Sequence, residues 1–451
     1  MNLLIQLSKI FFVILILFFC LEAFTYNRKN DTRRRSALAR QRVIIFVFLI
    51  FGYAILFINT MRISILILGG IIFVYEMLTM ILYHAIYPTS SSLLVNNMLM
   101  LLTVGFIMIA RLDESEAQKQ VIIAAAATVI ALFIPVIIRK LKILPRLTWL
   151  YASLGIIALL AVFALATISG GAKLSLTVGG ISFQFSEIVK ITLVFYLAST
   201  LYRDHSFKKV AVATIVAGIH VIILVASTDL GNALVFFVTY LVMVLAATKR
   251  PAYTAAGLGA GALAAVGSYF AFSHVRARVT AWLDPFSVYE KSGYQIVQSL
   301  FAIGAGGWMG MGLCQGRPGT IPVASKDFIF AAICEEFGCL FGIGLILVCL
   351  SLFLMILNMS LHIHQPFYKL IAVGLGAEYA FQVFLTIGGV TKLIPLTGIT
   401  LPLVSYGGSS VMSTIIMLAI VQGLFILRED EGEQRERERQ EKLRYRNADR
   451  T

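Results

Sequence analysis

The sequence has few charged residues and few cysteines for its length. Only 13% of its 451 residues are charged, whereas 59% are hydrophobic, and the mean hydropathy is +0.89. The five cysteines form no CxxC pair, so neither a zinc site nor a disulfide framework is indicated. No GKS or GKT follows the glycine-rich stretches, so no phosphate-binding loop is predicted. So little charge in so apolar a chain indicates an integral membrane protein and argues against nucleic acid binding.

Long apolar runs predict an all-α polytopic membrane protein. A helix needs about 20 apolar residues to cross the hydrocarbon core. The first run lacks the basic start and the small-residue cleavage site of a signal peptide, so we expect it to be a retained helix. Thirteen spans are predicted, near residues 3–24, 43–60, 63–87, 93–111, 119–138, 147–168, 184–202, 209–227, 230–248, 252–273, 329–357, 367–389 and 405–427.

The basic residues predict how these spans are oriented. Although the net charge is +14, most Lys and Arg residues fall in alternate loops. Loops rich in Lys and Arg remain on the cytoplasmic side, so we expect the N-terminus outside and the C-terminus in the cytoplasm. The basic segments assigned to the inside are 28–42, 139–146, 203–209, 249–250 and the tail from Arg428.

One large outside segment, about residues 274–327, precedes the eleventh span. It is rich in glycine and runs into "ASKDFIFAAICEEFG", in which Asp327 stands before the apolar run that contains Glu335 and Glu336. A charged group within a span costs about 2.5–3.5 kcal/mol. We therefore expect at least one of the two glutamates to line a polar cavity or to pair with a basic group of another helix. For Asp327, an N-cap role is the alternative to a functional one.

Two more polar stretches are predicted on the same side. "SFQFSEIVK" places Glu187 and Lys190 three residues apart at the start of a helix, so they share a face. A simple ion pair is the alternative to a functional role for them. "STDLGN" places Asp229 in a short turn between two helices, where N-capping is again the alternative.

The last outside segment, 393–410, reads "LIPLTGITLPLVSYGGSS". Its prolines and glycines predict a bent, re-entrant-like backbone, which is tolerated at membrane depth only where protein or a water-filled cavity satisfies its polar groups. Ser405 and Tyr406 are candidate hydrogen-bond donors there.

These motifs together resemble the SEDS family of shape, elongation, division and sporulation proteins, such as RodA, FtsW and SpoVE. The similar region covers about residues 93–428 and includes "STDLGNA", "KDFIFAAICEEFG" and "LPLVSYGGSS". The resemblance implies a ten-helix peptidoglycan glycosyltransferase core that polymerises lipid II beside a class B penicillin-binding transpeptidase. Residues 1–92 would then be a three-helix N-terminal extension, and residues 429–451 a charged cytoplasmic tail.

The resemblance also assigns residues. Asp327 matches the essential aspartate of the family's "TDFIFA" motif, with Lys326 in place of the threonine. Glu187 and Lys190 match the "PSEIAK" motif, in which this chain has Phe185 instead of proline. Asp229 matches the aspartate of "PDLG".

The implied reaction joins a sugar hydroxyl to an anomeric carbon while a polyprenyl diphosphate leaves. We expect Asp327 to be the general base of a direct inverting displacement. Lys190, oriented by Glu187, with Arg276 or Arg278, would bind the diphosphate. No cofactor is established, and a divalent cation such as Mg²⁺ is the candidate considered. The further substrate-binding candidates are Asp229, Glu335, Ser405 and Tyr406.

Two other functional classes fit parts of the sequence. A transporter of lipid-linked precursors would also contain intramembrane acids and bent segments, but transporters commonly show paired repeats, and none is found here. A scaffold with a decayed site is the third alternative. A bacterial cytoplasmic membrane location, with lipid II and a transpeptidase as partners, follows from the enzyme interpretation.

Overall fold

The computed structural model of the chain describes residues 2–166, 175–178 and 181–448. Within them, twelve helices are long and apolar enough to cross a membrane, which confirms the predicted all-α polytopic class. The predicted span at 184–202 forms a helix of only 16 residues and is not among the twelve, so the count of thirteen stays a prediction. The division of the chain at residue 92 also stays a prediction.

Helices account for most of the described residues. They are α1 (Asn2–Thr25), α2 (Asp31–Thr60), α3 (Ile63–Ile86), α4 (Ser92–Leu112), α5 (Glu114–Ala131), α6 (Ile134–Lys140), α7 (Thr148–Leu165), α8 (Ser186–Leu201), α9 (Phe207–Ala226), α10 (Leu230–Thr248), α11 (Pro251–Ala271), α12 (Ser273–Leu283), α13 (Tyr294–Gly306), α14 (Ile329–Phe337), α15 (Cys339–His362), α16 (Pro366–Val390) and α17 (Gly408–Ala448). A two-stranded antiparallel hairpin, β1 (Leu176–Val178) and β2 (Ile181–Phe183), precedes α8.

The helix α4 lies at the centre of the bundle, where every residue from Leu93 to Ala110 is buried. A helix that is apolar on all sides needs neighbours on all sides. The extension supplies several of them. Tyr53 of α2 donates to Phe106 O at 3.3 Å, and Thr103 Oγ1 donates to Glu76 Oε1 of α3 at 2.7 Å. The extension is therefore part of the same hydrophobic core as the rest of the chain.

The predicted span 329–357 is wrong as a single helix. The chain breaks at Gly338, so that the short helix α14 ends at Phe337 and the membrane-length helix α15 begins at Cys339. Gly338 has φ 91° and ψ 165°, a conformation that is essentially restricted to glycine. Glu335 and Glu336 consequently lie in α14, before the membrane-length helix that begins at Cys339.

The glycine-rich loop after α13 explains why the break at Gly338 is stable. Helix ends leave backbone groups without intrahelical partners. Met311 N donates to Glu335 O and Gly312 N to Glu336 O, both at 2.8 Å, at the end of α14. At the start of α15, Cys339 N donates to Gly307 O at 2.9 Å. The loop thus satisfies both helix ends.

Substituting alanine for Gly338 should destabilise the fold. A Cβ atom there would lie 2.4 Å from Gly310 N, and the conformation alone costs about 1–3 kcal/mol for a residue other than glycine. Gly304→Ala is the matched control, because Gly304 lies in α13 and nothing is within 4 Å of its Cβ position. In detergent, Gly338→Ala should lower the temperature of thermal unfolding, and Gly304→Ala should leave it unchanged. An equal effect of both substitutions would contradict this account.

The C-terminal tail, predicted as a charged cytoplasmic extension, is helical. It continues α17 without a break and contacts the end of α6 and the residue before α16. Gln365 Nε2 donates to Glu431 Oε1 at 2.8 Å, and Arg139 Nη2 donates to Asp430 Oδ1 at 3.0 Å. These contacts support the first turns of the tail helix.

Candidate functional site

The candidate site lies at the end of the bundle where α9, α16 and α13 end and α10, α15 and α17 begin. Two hydrogen bonds hold the chain just before Asp327 in place. Tyr406 N donates to Ser325 O at 2.7 Å, and Ser405 Oγ donates to Lys326 O at 2.6 Å. Ser405 and Tyr406, predicted to bind substrate, therefore support the backbone beside Asp327.

Gln120 of α5 holds the segment that carries Ser405. Its amide donates to Ser405 O at 2.8 Å and accepts from Gly407 N at 3.1 Å. The 393–410 segment, predicted to be bent, is non-helical from Lys392 to Gly407, and Leu403 has a positive φ of 67°. Its backbone is satisfied largely by neighbouring protein groups, as such a segment requires.

Asp327 and Arg278 both lie beside Gly398. Asp327 Oδ2 and Arg278 Nη2 each lie 3.6 Å from the position that a Cβ atom at Gly398 would take. Gly398 has φ 73°, so both its conformation and its position favour glycine. Arg278 Nη1 donates to Thr397 O at 3.0 Å, which orients the guanidinium. The structure thus brings together a carboxylate and a cation that are far apart in the sequence.

Asp327 does not cap α14. The N-cap residue is Phe328, which makes no side-chain cap hydrogen bond, so the N-cap alternative is wrong. Burial raises the pKa of the Asp327 carboxyl above its usual value, although the positive charges of Arg278 and Lys326 oppose this shift. A carboxylate that water solvates poorly is a stronger base than an exposed one, which suits general-base chemistry.

The raised pKa of Asp327 predicts a specific stability change. The folded protein binds this proton more tightly than the unfolded chain, so the free energy of unfolding falls as the pH rises from the unfolded pKa through the folded pKa. Asp327→Asn removes this partly buried charge. At neutral pH the variant should therefore unfold at a higher temperature than the wild type, and the difference should vanish in acid below the usual Asp pKa. A variant that is less stable at neutral pH would refute this expectation.

Asp229 lies in a hydrogen-bonded cluster where α9 meets α10. Its carboxylate accepts from Asn232 N at 3.3 Å, which confirms the N-cap alternative, and also from Ser186 Oγ at 3.1 Å and Gln184 Nε2 at 3.2 Å. Burial raises its pKa, and the hydrogen bonds from Asn232 and Ser186 oppose that shift. The negative charge of Asp229 also stabilises the Arg278 cation. Asp229 is thus a buried neighbour of the Asp327–Arg278 pair.

Glu187 and Lys190 form a buried ion pair, with 2.8 Å between Glu187 Oε2 and Lys190 Nζ. Their other partners, on α16, were not predicted from the sequence. Lys190 Nζ donates to Gln382 Oε1 at 2.7 Å and lies 3.6 Å from Glu378 Oε1. Both charged side chains of the pair are 4% exposed, so the ion-pair alternative is confirmed, and a substrate-binding role stays a prediction. An isolated acid in the apolar run of α16 was the signal that could have identified Glu378.

Glu335 and Glu336 contact the loop that follows α13. Glu335 Oε1 accepts from Arg317 N at 2.7 Å, and Arg111 Nε of α4 donates to Glu336 Oε1 at 3.0 Å. Arg111 also donates to Gly316 O at 3.3 Å. The expectation that one glutamate pairs with a basic group of another helix is confirmed. The contacts of Glu335 indicate that it positions the loop.

The candidates that remain are the two arginines of α12 and the divalent cation. Arg276 is exposed, whereas Arg278 is partly buried beside Asp327. No group of three or more His, Cys, Asp or Glu side chains among the described residues is arranged to hold a metal ion. The neighbour of Asp327 is a guanidinium, and the oxygens of Asp229 accept from nearby side chains. These residues do not fit a metal cage, and the Mg²⁺ candidate stays a prediction.

Fold and site define a multi-pass membrane protein with a carboxylate and a guanidinium close to the same glycine at one end of its helical bundle. The sequence profile described as cell cycle protein, of the FtsW, RodA and SpoVE group, matches residues 85–428. The chain belongs to this family, which confirms the resemblance inferred from its motifs.

Relatives and solved structures agree with this assignment. The peptidoglycan glycosyltransferase RodA of Mycobacterium leprae is 33% identical over 361 residues, which is 74% of this chain and 77% of that protein. RodA of Mycobacterium tuberculosis is 40% identical over 271 residues, which is 56% of this chain but only 57% of the relative. A chain in a structure of a peptidoglycan synthase complex has a TM-score of 0.64 at 24% identity, and the match covers 75% of this chain and 98% of that chain. This structural similarity shows that the two chains share a fold.

Proposed function

We propose that this chain is a peptidoglycan glycosyltransferase that polymerises lipid II into glycan strands. The observation that carries the proposal is that Asp327 and Arg278 both lie beside Gly398 at one end of the bundle. Relatives that match three quarters or more of their own length carry the names RodA and stage V sporulation protein E. A role in elongation, division or sporulation is compatible with these names.

In the proposed reaction, Asp327 accepts the proton of the attacking sugar hydroxyl as its oxygen bonds to the anomeric carbon. The bond from that carbon to the diphosphate oxygen breaks, and the diphosphate leaves with the electron pair. A single base without a carboxylate nucleophile gives inversion at the anomeric carbon. General-base assistance of this kind contributes about 10²- to 10⁴-fold to the rate.

Arg278 is the cation best placed for the diphosphate. A guanidinium matches phosphate oxygens with two parallel donors, and only one of its nitrogens is used by Thr397 O. Lys326, the residue before Asp327, is exposed, with its Nζ 6.0 Å from the ring centre of Tyr406. Both cations can approach charge that develops on the leaving group.

The basic loops favour an orientation that puts the Asp327 end at the outer face of the cytoplasmic membrane and the C-terminus in the cytoplasm. Both substrates of the proposed reaction are lipid-linked, so the bilayer delivers them to this interface. A class B penicillin-binding transpeptidase is the proposed partner, since a similar fold occurs in a peptidoglycan synthase complex.

The test supplies lipid II to the purified full-length chain, alone and with a candidate transpeptidase. Glycan polymer is the expected product. Reconstitution into vesicles with labelled lipid II in one leaflet addresses the rival function, a flippase for the same lipid. Movement of label between leaflets without polymer would favour the transporter and overturn the proposal.

Arg278 and Arg276 form a matched pair of substitutions on α12. Arg278→Gln should lower the polymerisation rate by about 100-fold, because it removes a positioned cation at the leaving group. Arg276→Gln removes the same charge from an exposed position and should leave the rate within about twofold. The initial rates of polymer formation by the two variants measure this difference. Equal losses would show that only the general positive charge of α12 matters.

A further inference from the structure

The backbone of residues 395–401 forms neither helix nor strand, so its peptide groups lack regular backbone partners. Gly398 lies in this stretch, with the carboxylate of Asp327 and the guanidinium of Arg278 close to the position of its absent Cβ atom. Irregular backbone in a membrane protein must be satisfied by other protein groups. The groups that hold this stretch therefore bear on the two side chains proposed to act on the substrate.

Two side chains of α16 bond to this stretch. Gln382 and Thr386 are four residues apart, so they lie on the same face of the helix. Gln382 Nε2 donates to Thr400 O at 3.1 Å, and Thr386 Oγ1 donates to Ile399 O at 3.1 Å. The Thr386 hydroxyl also lies 3.0 Å from Gln382 O of its own helix, so its proton is shared between two acceptors. The two successive carbonyls that follow Gly398 are thus bonded by α16.

These bonds are made in a buried place. Gln382 and Thr386 are each 2% exposed, so water does not compete for their polar groups. The amide oxygen of Gln382 accepts from Lys190 Nζ at 2.7 Å, which leaves its NH2 group to donate to the 395–401 backbone. A buried carbonyl that loses its donor pays the full cost of desolvation. The two side chains consequently favour one position of this backbone.

The same stretch is bonded on either side of these two carbonyls to the groups of the candidate site. On one side, Arg278 Nη1 donates to Thr397 O at 3.0 Å. On the other side, Leu401 N donates to Ser405 Oγ at 2.9 Å. That hydroxyl donates, at 2.6 Å, to the carbonyl of the residue before Asp327. Movement of the backbone at the two middle carbonyls would therefore alter the placement of Arg278 relative to Asp327.

We propose that Gln382 and Thr386 are positioning residues, whose hydrogen bonds to the backbone after Gly398 keep Arg278 beside Asp327. Both act through the backbone and not on the reacting atoms. The inference rests on the proposed glycosyltransferase function, because it assigns the two residues a role in that reaction. A misplacement of about 1 Å can cost about 100-fold in rate. Loss of either donor should therefore lower the turnover number more than the apparent affinity for lipid II.

The first test compares turnover numbers of the purified full-length variants with lipid II. Thr386→Val removes the hydroxyl but keeps the shape of the side chain, and it should lower the turnover number by about 10-fold. Thr386→Ser keeps the hydroxyl and should stay within about threefold of the wild type. Gln382→Met removes the other donor and should cost about 10- to 100-fold. The matched control is Thr79→Val, which should stay within about twofold, because Thr79 is also 2% exposed and donates to Tyr75 O of its own helix, α3.

Hydrogen exchange, read by mass spectrometry, measures the positioning without reference to activity. The amides of Leu401, Tyr406 and Gly407 are hydrogen-bonded, so a peptide covering residues 395–407 reports on this backbone. In Thr386→Val and Gln382→Met, this peptide should exchange about 10-fold faster than in the wild type. Peptides from α4 should exchange at the wild-type rate, which shows that the variants are folded.

The two measurements together decide the inference. Loss of turnover without faster exchange, or faster exchange without loss of turnover, would overturn it. Equal losses of turnover in Thr386→Val and Thr386→Ser would also overturn it, because the hydroxyl would then have no part in the effect. A wild-type protein that makes no polymer would refute the proposed function, whereas the exchange rates would still decide whether Gln382 and Thr386 hold this backbone.

Discussion

Asp327→Ala is expected to lower lipid II polymerisation by about 10²- to 10⁴-fold, because it removes the proposed general base. Asp327 lies near a cation, Arg278, and does not cap a helix. Initial rates of polymer formation by purified protein, with saturating lipid II, measure the effect. The loss should appear in the turnover number more than in the apparent affinity for substrate, since the proton is transferred in the chemical step.

The control for this prediction is Glu290→Ala. Glu290 is exposed in the same segment between α12 and α13, so its removal changes the charge by the same amount away from the site. Its rate should stay within about twofold of the wild type. Asp327→Asn separates activity from folding, because it should be inactive and yet more stable at neutral pH. An Asp327→Ala protein that makes polymer at the wild-type rate would exclude the base assignment.

Lys190→Met is expected to lower the free energy of unfolding by about 3–5 kcal/mol. The substitution leaves the carboxylates of Glu187 and Glu378 buried without their shared cation, which is the costly way to break a buried ion pair. Gln382 also loses a hydrogen bond at 2.7 Å. Thermal and denaturant unfolding in detergent, with the yield of folded protein, measure the loss. Lys208→Met, which removes an exposed lysine at the start of α9, should have little effect.

A compensating variant tests the physical reason for the loss at Lys190. Adding Glu187→Gln and Glu378→Gln to Lys190→Met removes the unpaired charges and should restore part of the stability. The same protein also addresses the substrate-binding role predicted for Lys190. A structural role predicts that the folded fraction retains its turnover. A folded and stable Lys190→Met protein without activity would instead favour diphosphate binding by Lys190.

Membrane spans were predicted well because their signal is local. A segment in lipid must satisfy its own backbone, so an apolar run of sufficient length forms a helix whatever its neighbours are. The run at 63–87 forms α3 (Ile63–Ile86), and that at 230–248 forms α10 (Leu230–Thr248). The break at Gly338 was missed because the residues on both sides are apolar and helical. Only the loop at 306–312, which satisfies both helix ends, stabilises that break.

The candidate site was predicted in part. The motif around Asp327 identified the acid, but Arg276 and Arg278 stand two residues apart and could not be distinguished. In the structure only Arg278 is held by Thr397 O beside Asp327. The prediction that Glu335 and Glu336 lie within a membrane span was wrong, because it assumed one continuous helix, whereas they lie in α14 before the break at Gly338.

The sequence by itself determined the class of protein, the family and the approximate spans, because apolar length and ordered motifs act over short stretches of chain. The tertiary structure decided which charged groups meet. Asp327, Arg278 and Gly398 come from three separate segments, and Glu378 reaches Lys190 from α16. Such contacts depend on how packing across the bundle places the helix ends. Short-range sequence patterns therefore do not predict them.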